Sequence, residues 1–272
     1  MARMNRTRRL APGAVACLLA PFTALGQTDL DCVIEASEIA EVSSSVINGI
    51  MAKVLVDRGD WVKQGQVVAE LESSVEQASV ALARAQAEST TSIEAHEARV
   101  ELARKELQRI RELLTSQSVA ARLLDEAETD LVVEQLALDQ AHEAKRIAAI
   151  ELDRAKATLD LRTIRSPVPG VVVRVYSSAS ESVEDQPIMQ IARIDPLYVE
   201  AIAPVERLGA IREGMVLQVH PEEPIGGQLT ATVSLVERVI DASSGTFGIR
   251  LELPNPEGKI PAGLRCRLAF PN

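Results

Sequence analysis

The sequence predicts an elongated α+β protein: a long α-helical coiled-coil hairpin inserted in a split β-domain, followed by a small β-barrel. Three observations predict it. Residues 73–160 contain no Gly, no Pro and no aromatic side chain, and all of those residue types lie in the flanks. An apolar 3–4 spacing runs through that block. The flanks carry short β-rich runs punctuated by turn residues, and the two runs bordering the block resemble each other. Composition agrees. The chain has 272 residues, 2% aromatic, and a formal net charge of −10. One large core normally draws on aromatic rings, so the sequence points to several small cores. An acidic chain without a basic stripe argues against a nucleic-acid partner. At 46% hydrophobic and 25% charged, it is not a disordered chain.

At the N-terminus, Arg3, Arg6, Arg8 and Arg9 precede a mostly apolar stretch, Leu10 to Leu25, and no acid occurs before Asp29. This is the layout of a secretory signal, expected over residues 1–26, with a small-residue cleavage point at Ala24-Leu25-Gly26. The stretch is too short for a bilayer span and is interrupted by Pro12 and Pro21. Cys17 lies inside it, but Ala14 stands where a lipoprotein signal wants Leu. Cleavage would leave Cys32 and Cys266, near the two ends of the mature chain. In an oxidising compartment they are a candidate disulfide; the alternative is two buried thiols acting as small hydrophobes. Two Cys and three scattered His give no metal site.

In the middle, the first seam reads Ser79, Leu82, Gln86, Ser89, Ile93, His96, Val100, Ala103, Leu107, Ile110, Leu114. The second reads Leu124, Ala127, Leu131, Glu134, Leu138, Ala141, Lys145, Ala148, Leu152, Ala155, Leu159. A sustained seven-residue repeat predicts left-handed coiled-coil packing. Ser73 with Glu76 fits a capping box, and Thr115-Ser116-Gln117-Ser118 supplies the turn. The expected arm is two antiparallel helices of about 42 residues, each roughly 60 Å long. Leu136 and Ile147 are expected to widen the apolar stripe of the second helix. His96 is read as a tolerated seam residue rather than a ligand.

The flanks at 46–72 and 161–191 each hold a Gly-initiated β run (Gly49, Gly170), then a polar turn followed by Val (Val62, Val183) and a short apolar strand. This is an internal repeat split by the arm. The motif Gly59-Asp60-Trp61-Val62-Lys63-Gln64-Gly65-Gln66 and the re-entry motif Thr163-Ile164-Arg165-Ser166-Pro167 with Gly170-Val171-Val172 carry a family resemblance. The chain resembles the periplasmic adaptor subunits, or membrane fusion proteins (HlyD-like), of tripartite efflux pumps, most closely those of the resistance-nodulation-division (RND) class. The resemblance covers about residues 31–270. It implies that the flanks are lipoyl-like (barrel-sandwich hybrid) halves, with Gly49, Gly59, Asp60, Val62, Gly65, Pro167 and Gly170 as their motif residues. One departure is Ser180-Glu181-Ser182-Val183, where the family usually places a Gly, which implies a looser turn.

The resemblance also implies partners: an inner-membrane efflux transporter, an outer-membrane channel, and further copies, as a homo-oligomer (a hexamer among the options) or a mixed adaptor assembly. The expected location is the periplasm of a Gram-negative envelope, associated with the inner membrane through partners. At the hairpin tip, the family's channel-docking pattern maps onto Arg109, Leu113 and Ala120, the last departing from the family's Ser, with Ser116 and Gln117 in the turn. The plain alternative is that Arg109 is solvated, Leu113 packs on the opposite helix and Ala120 starts a helix. Alternatives for the whole chain are an adaptor of a type I (ABC) secretion system or a non-transport periplasmic scaffold. A biotin or lipoyl carrier is disfavoured, because a helical block occupies the place of its acceptor-lysine turn.

Residues 192–272 show β runs at Leu197–Ala203, Val216–His220, Leu229–Arg238, Gly248–Leu253 and Leu264–Phe270, with a short helical stretch at Val205–Ile211. Closure into a barrel would remove exposed edges. Val199, Val219, Val233, Ile249 and Leu251 are its expected core. The strand Cys32–Ile39 is expected to join it, bringing Cys32 near Cys266. No sequence for a full membrane-proximal domain is recognised. No catalytic signature or cofactor motif is found: Ser residues lack a His/Asp arrangement, His220-Pro221-Glu222-Glu223 lacks a metal-ligand partner, and no phosphate loop occurs.

Overall fold

The computed structural model describes residues 29–115, 121–184 and 186–270. The expected signal segment and the tip residues Ser116, Gln117 and Ala120 lie outside the described residues. In chain order the elements are β1 (Leu30–Val42), β2 (Gly49–Val54), β3 (Trp61–Val62), β4 (Val67–Leu71), α1 (Ser74–Glu88), α2 (Thr91–Thr115), α3 (Ala121–Asp160), β5 (Thr163–Arg165), β6 (Gly170–Val175), β7 (Ser182–Val183), β8 (Met189–Pro204), β9 (Val216–Pro221), β10 (Leu229–Val236), β11 (Thr246–Leu253) and β12 (Leu264–Ala269).

Six of these close a barrel in the order β1-β12-β9-β10-β11-β8, with β8 pairing back onto β1. Strand alternation turns one face inward. Ile34, Leu197, Val199, Leu217, Val219, Val233, Phe247, Ile249, Leu251 and Leu268 are all buried there. Each such side chain contributes about 1.5–3 kcal/mol through its burial. Cys32 stands directly opposite Cys266 in the β1–β12 register. Their sulfurs are bonded, with Cα atoms 4.8 Å apart. The helical stretch expected at Val205–Ile211 is only a 3₁₀ turn, Val205–Arg207. Gly209 follows at φ 89°, a left-handed value that ends a helix.

The second β unit gathers β2, β3, β4, β5, β6 and β7 with the distal halves of β1 and β8 around its own core, which includes Met51, Val68, Leu71, Val172, Ile188 and Ile191. Its two halves pair reciprocally. Gly49 lies opposite Val183, and Val62 lies opposite Gly170. Each position and its repeat equivalent (49 and 170, 62 and 183) are separated by the same 121 residues, so the two halves exchange matching contacts. The boundary expected between residues 191 and 192 falls inside β8, which runs unbroken from one unit into the other. The turn-forming pair Asp195-Pro196 next to that boundary bends the register but does not end the strand.

Between the two halves rises the arm. The second seam reads as expected. Leu124, Leu131, Glu134, Leu138, Lys145, Ala148, Leu152 and Leu159 are half-buried, and Ala127, Ala141 and Ala155 are buried. The first seam does not run unbroken. The chain leaves helical geometry at Ser89 (ψ 128°) and restarts at Thr91. Thr90 accepts the Glu94 N–H on its carbonyl at 3.0 Å and donates its hydroxyl to the Glu94 carboxylate at 2.6 Å. Ser89-Thr90-Thr91-Ser92 is a run of hydroxyl side chains that compete for backbone hydrogen bonds and favour caps over helix interior. The restart shifts the phase. Beyond it Ile93, Val100 and Leu107 are buried as expected, but before it the buried residues are Val80 and Ala83 instead of Ser79 and Leu82. Leu82 is exposed, and so are Leu136 and Ile147, which lie two positions past seam residues and therefore on the far side of α3. Thr115, read as the first turn residue, is the last residue of α2.

Candidate functional site

Among the described residues, the sequence motifs gather at the root of the arm and toward its far end. At the root, the two glycine-bearing motifs are hydrogen-bonded to each other although a hundred residues separate them. Gly59 N–H donates to the Val172 carbonyl at 2.8 Å, and Val172 N–H returns to the Asp60 carbonyl at 2.9 Å. Gly65 N–H donates to Ser166 at 2.8 Å, and Ser166 N–H returns to Gln66 at 2.9 Å. The Asp60 carboxylate accepts the Asp57 N–H at 2.8 Å and fixes the turn that Gly59 completes at φ 96°. The Ser166 hydroxyl spans Pro167 in the sequence by donating to the Val168 carbonyl at 2.6 Å. Gly170 passes so close to β8 that a Cβ there would stand 2.1 Å from the Ala192 carbonyl oxygen. These residues therefore build a backbone clasp, with no side-chain chemistry aimed at a ligand.

The turn without glycine is also held. Ser180 takes φ 70° and its N–H reaches the Met51 carbonyl at 2.8 Å, while Met51 N–H reaches Glu181 at 2.8 Å. The Glu181 carboxylate accepts the Ser178 N–H at 2.7 Å. Local hydrogen bonds hold the left-handed residue where the glycine is missing.

The arm joins this clasp through a contact the sequence did not signal. Arg162 donates to Glu76 at 2.6 Å across the hairpin root, with both side chains largely covered. Glu76 is thus drawn away from the capping box expected with Ser73, which makes no side-chain cap. The Glu72 carboxylate takes over, accepting the Ser74 N–H at 2.9 Å. Hydrogen bonding from the Ser74 side chain, and next from its backbone N–H, holds the Glu72 carboxyl below its ordinary range. No local pattern could have revealed the Arg162–Glu76 pair, because its partners are 86 residues apart.

Toward the far end, Arg111 of α2 reaches Glu128 of α3 at 2.7 Å and ties the two helices together. Arg109 is exposed and pairs along its own helix with Glu106 at 2.5 Å. Leu113 is partly exposed. Midway, His96 Nδ1 and Glu134 Oε2 face each other at 4.0 Å across the seam, beyond hydrogen-bond length. Among the described residues no group of three or more His, Cys, Asp and Glu could hold a metal ion, and no helix is long and apolar enough to cross a membrane.

No family model matches the chain. Its sequence is 24% identical over 243 residues to the multidrug resistance protein MdtE of Escherichia coli K12, spanning 84% of this chain and 59% of that protein. It is 25% identical over 249 residues to the multidrug/solvent efflux pump periplasmic linker protein MepA of Pseudomonas putida, spanning 84% of this chain and 56% of that one. The chain thus spans a little over half the length of these curated relatives. In fold it matches MacA from Actinobacillus actinomycetemcomitans, with a TM-score of 0.74 at 19% identity over 89% of this chain and 78% of that one. It also matches the membrane fusion protein Spr0693 from Streptococcus pneumoniae R6, with a TM-score of 0.61 at 19% identity over 90% of this chain and 98% of that one. In sequence and in fold the chain is similar to periplasmic adaptors, or membrane fusion proteins, of efflux pumps.

Proposed function

We propose that the chain is a periplasmic adaptor that links an inner-membrane efflux transporter of the RND type to an outer-membrane channel, several copies packing side by side into a ring-like conduit. The observation that carries this reading is the arm itself: a helical hairpin anchored at one end in a reciprocally paired β unit, in a chain whose relatives are named as efflux linkers. The 40 residues of α3 reach roughly 60 Å, a length suited to bridging rather than to enclosing a small ligand. In this reading the reciprocally paired halves are lipoyl-like halves whose acceptor turn is replaced by the arm. Gly49, Gly59, Asp60, Val62, Gly65, Pro167 and Gly170 then serve to fix the arm's root. Arg109 and Leu113, with Ser116, Gln117 and Ala120, form the end that meets the channel. Energy for export comes from the transporter, and the adaptor contributes assembly.

Affinity purification through a tag on this chain, after mild cross-linking of intact cells, tests the reading. The expected result is recovery of an inner-membrane transporter and an outer-membrane channel together. Cross-linking from a photoreactive residue at position 113 tests the docking end. Recovery of the transporter with no channel captured from position 113 would count against that end as the contact.

A further inference from the structure

We propose that Trp61 is a latch that sets the angle between the barrel and the second β unit across a two-strand hinge. Three observations carry it. First, the two units have separate cores, and the chain crosses between them only in β1 and β8. Second, the β1–β8 ladder is broken at that crossing. Ala36 lies opposite Leu197, but Glu38 lies opposite Arg193, leaving Ser37 outside the ladder on one strand and Ile194, Asp195 and Pro196 on the other, with the Ser37 hydroxyl donating to the Arg193 carbonyl at 3.2 Å. A bulge of this size interrupts the ladder where the ribbon would otherwise hold the units rigid.

Third, one barrel loop grips both the hinge and the second unit. Asn255, buried at 3% exposure, donates its side-chain amide to the Ile194 carbonyl at 3.0 Å, and its backbone N–H goes to the Asp195 carboxylate at 2.9 Å. The same side chain closes the loop on itself by donating to the Ile260 carbonyl at 2.9 Å and accepting the Ile260 N–H at 3.1 Å. Gly258 lies at the crest of this loop, at φ 63°. A Cβ on Gly258 would stand 2.3 Å from the Trp61 ring, so the indole rests directly on its backbone. Trp61 belongs to β3 of the other unit, where it pairs with Val171.

With the barrel loop in place Trp61 is still 56% exposed, so part of the ring covers the Gly258 backbone of the neighbouring unit and the rest faces solvent. The ring is in contact only while the barrel loop stands where it does. Relative motion is the default for units joined by a small contact, so removal of the ring frees the hinge. The absence of a Cβ at Gly258 is what lets the ring approach.

Distance measurements between spin labels in the full chain test this. Labels go on Ile50→Cys in the second unit and Val239→Cys in the barrel, both exposed. Cys17→Ser leaves the introduced thiols as the free ones once Cys32 and Cys266 are paired. A control pair, Val216→Cys with Val239→Cys, lies within the barrel. The expected result is a narrow 50–239 distribution in the parent chain that roughly doubles in width in Trp61→Ala, with the control pair unchanged. Gly258→Ala, which displaces the ring and leaves the tryptophan in place, is expected to broaden it in the same way. An unchanged 50–239 distribution in both variants overturns the proposal. So does broadening of the control pair to the same degree, which would mean that the barrel had loosened.

Discussion

The barrel and the arm solve the problem of burial in opposite ways. The barrel encloses a continuous cluster of large side chains, from Ile34 to Leu268, that are almost fully covered. The arm buries a single file, with Val80, Ala83, Ile93, Val100, Leu107, Ala127, Ala141 and Ala155 as its covered residues. Three of those on α3 are alanines, each of which buries little area. A closed barrel can exclude water from every strand's inner face, whereas two helices side by side cover only the stripe between them. The barrel is thus the stable body and the arm the part that opens first. A single melting temperature does not describe such a chain, so the differences are best read by local hydrogen exchange.

The comparison can be broken at several points. Phe247→Ala empties the largest buried position of the barrel and is expected to lose about 3–5 kcal/mol of barrel stability. Exchange protection should collapse across β8 to β12 while α2 and α3 keep theirs; protection retained in the barrel would show that Phe247 does not anchor its core. Replacing both Cys32 and Cys266 by Ser removes a link spanning 234 residues and is expected to lose about 2–4 kcal/mol. Chemical denaturation followed by exchange in β1 and β12 checks it, and no change would show that strand pairing alone closes the barrel.

Leu107→Ala in the arm is expected to lose about 2 kcal/mol, at the low end for a leucine because its surroundings can partly collapse. The loss should appear as faster exchange in α2 and α3 alone. A matching loss in the barrel would mean that the two regions are coupled through the root. The smallest effect is one of pH. Glu72 has its folded-state affinity for protons lowered by the Ser74 hydrogen bond. Its stabilisation of the arm root is therefore complete above the ordinary carboxylate range of about 4.3 and fades as pH falls through the lower folded value. Exchange at the start of α1, corrected for the intrinsic rate, should quicken over that window in the parent chain and not in Glu72→Gln.

Much of this was legible before the fold was seen. The seam of α3 could be read position by position, because a 40-residue helix with one partner repeats the same environment every turn. The repeat of the two β halves was equally legible, since turn residues mark strand ends. Leu82 shows the limit. Its place in the pattern depends on a phase that Ser89 and Thr90 reset, so one spacing count carried across the break that is right for Ile93, Val100 and Leu107 is wrong by one residue at Leu82. Glu76 shows another: its local motif offered a cap, but Arg162, just past the end of α3 at the arm's root, offers a charge-assisted hydrogen bond worth more.

By itself, then, the sequence determined most of the helix and strand segments, where the arm is inserted and which face of α3 turns inward, because those depend on periodicity and on turn residues close in the chain. Tertiary structure decided the rest. It chose Arg162 for Glu76, carried β8 through an expected boundary, joined Cys32 to Cys266 and seated Trp61 on Gly258. Each of those contacts joins residues that are distant in the chain, or depends on a strand shared by two sheets. Their energies arise only when the fold has brought both partners out of water together.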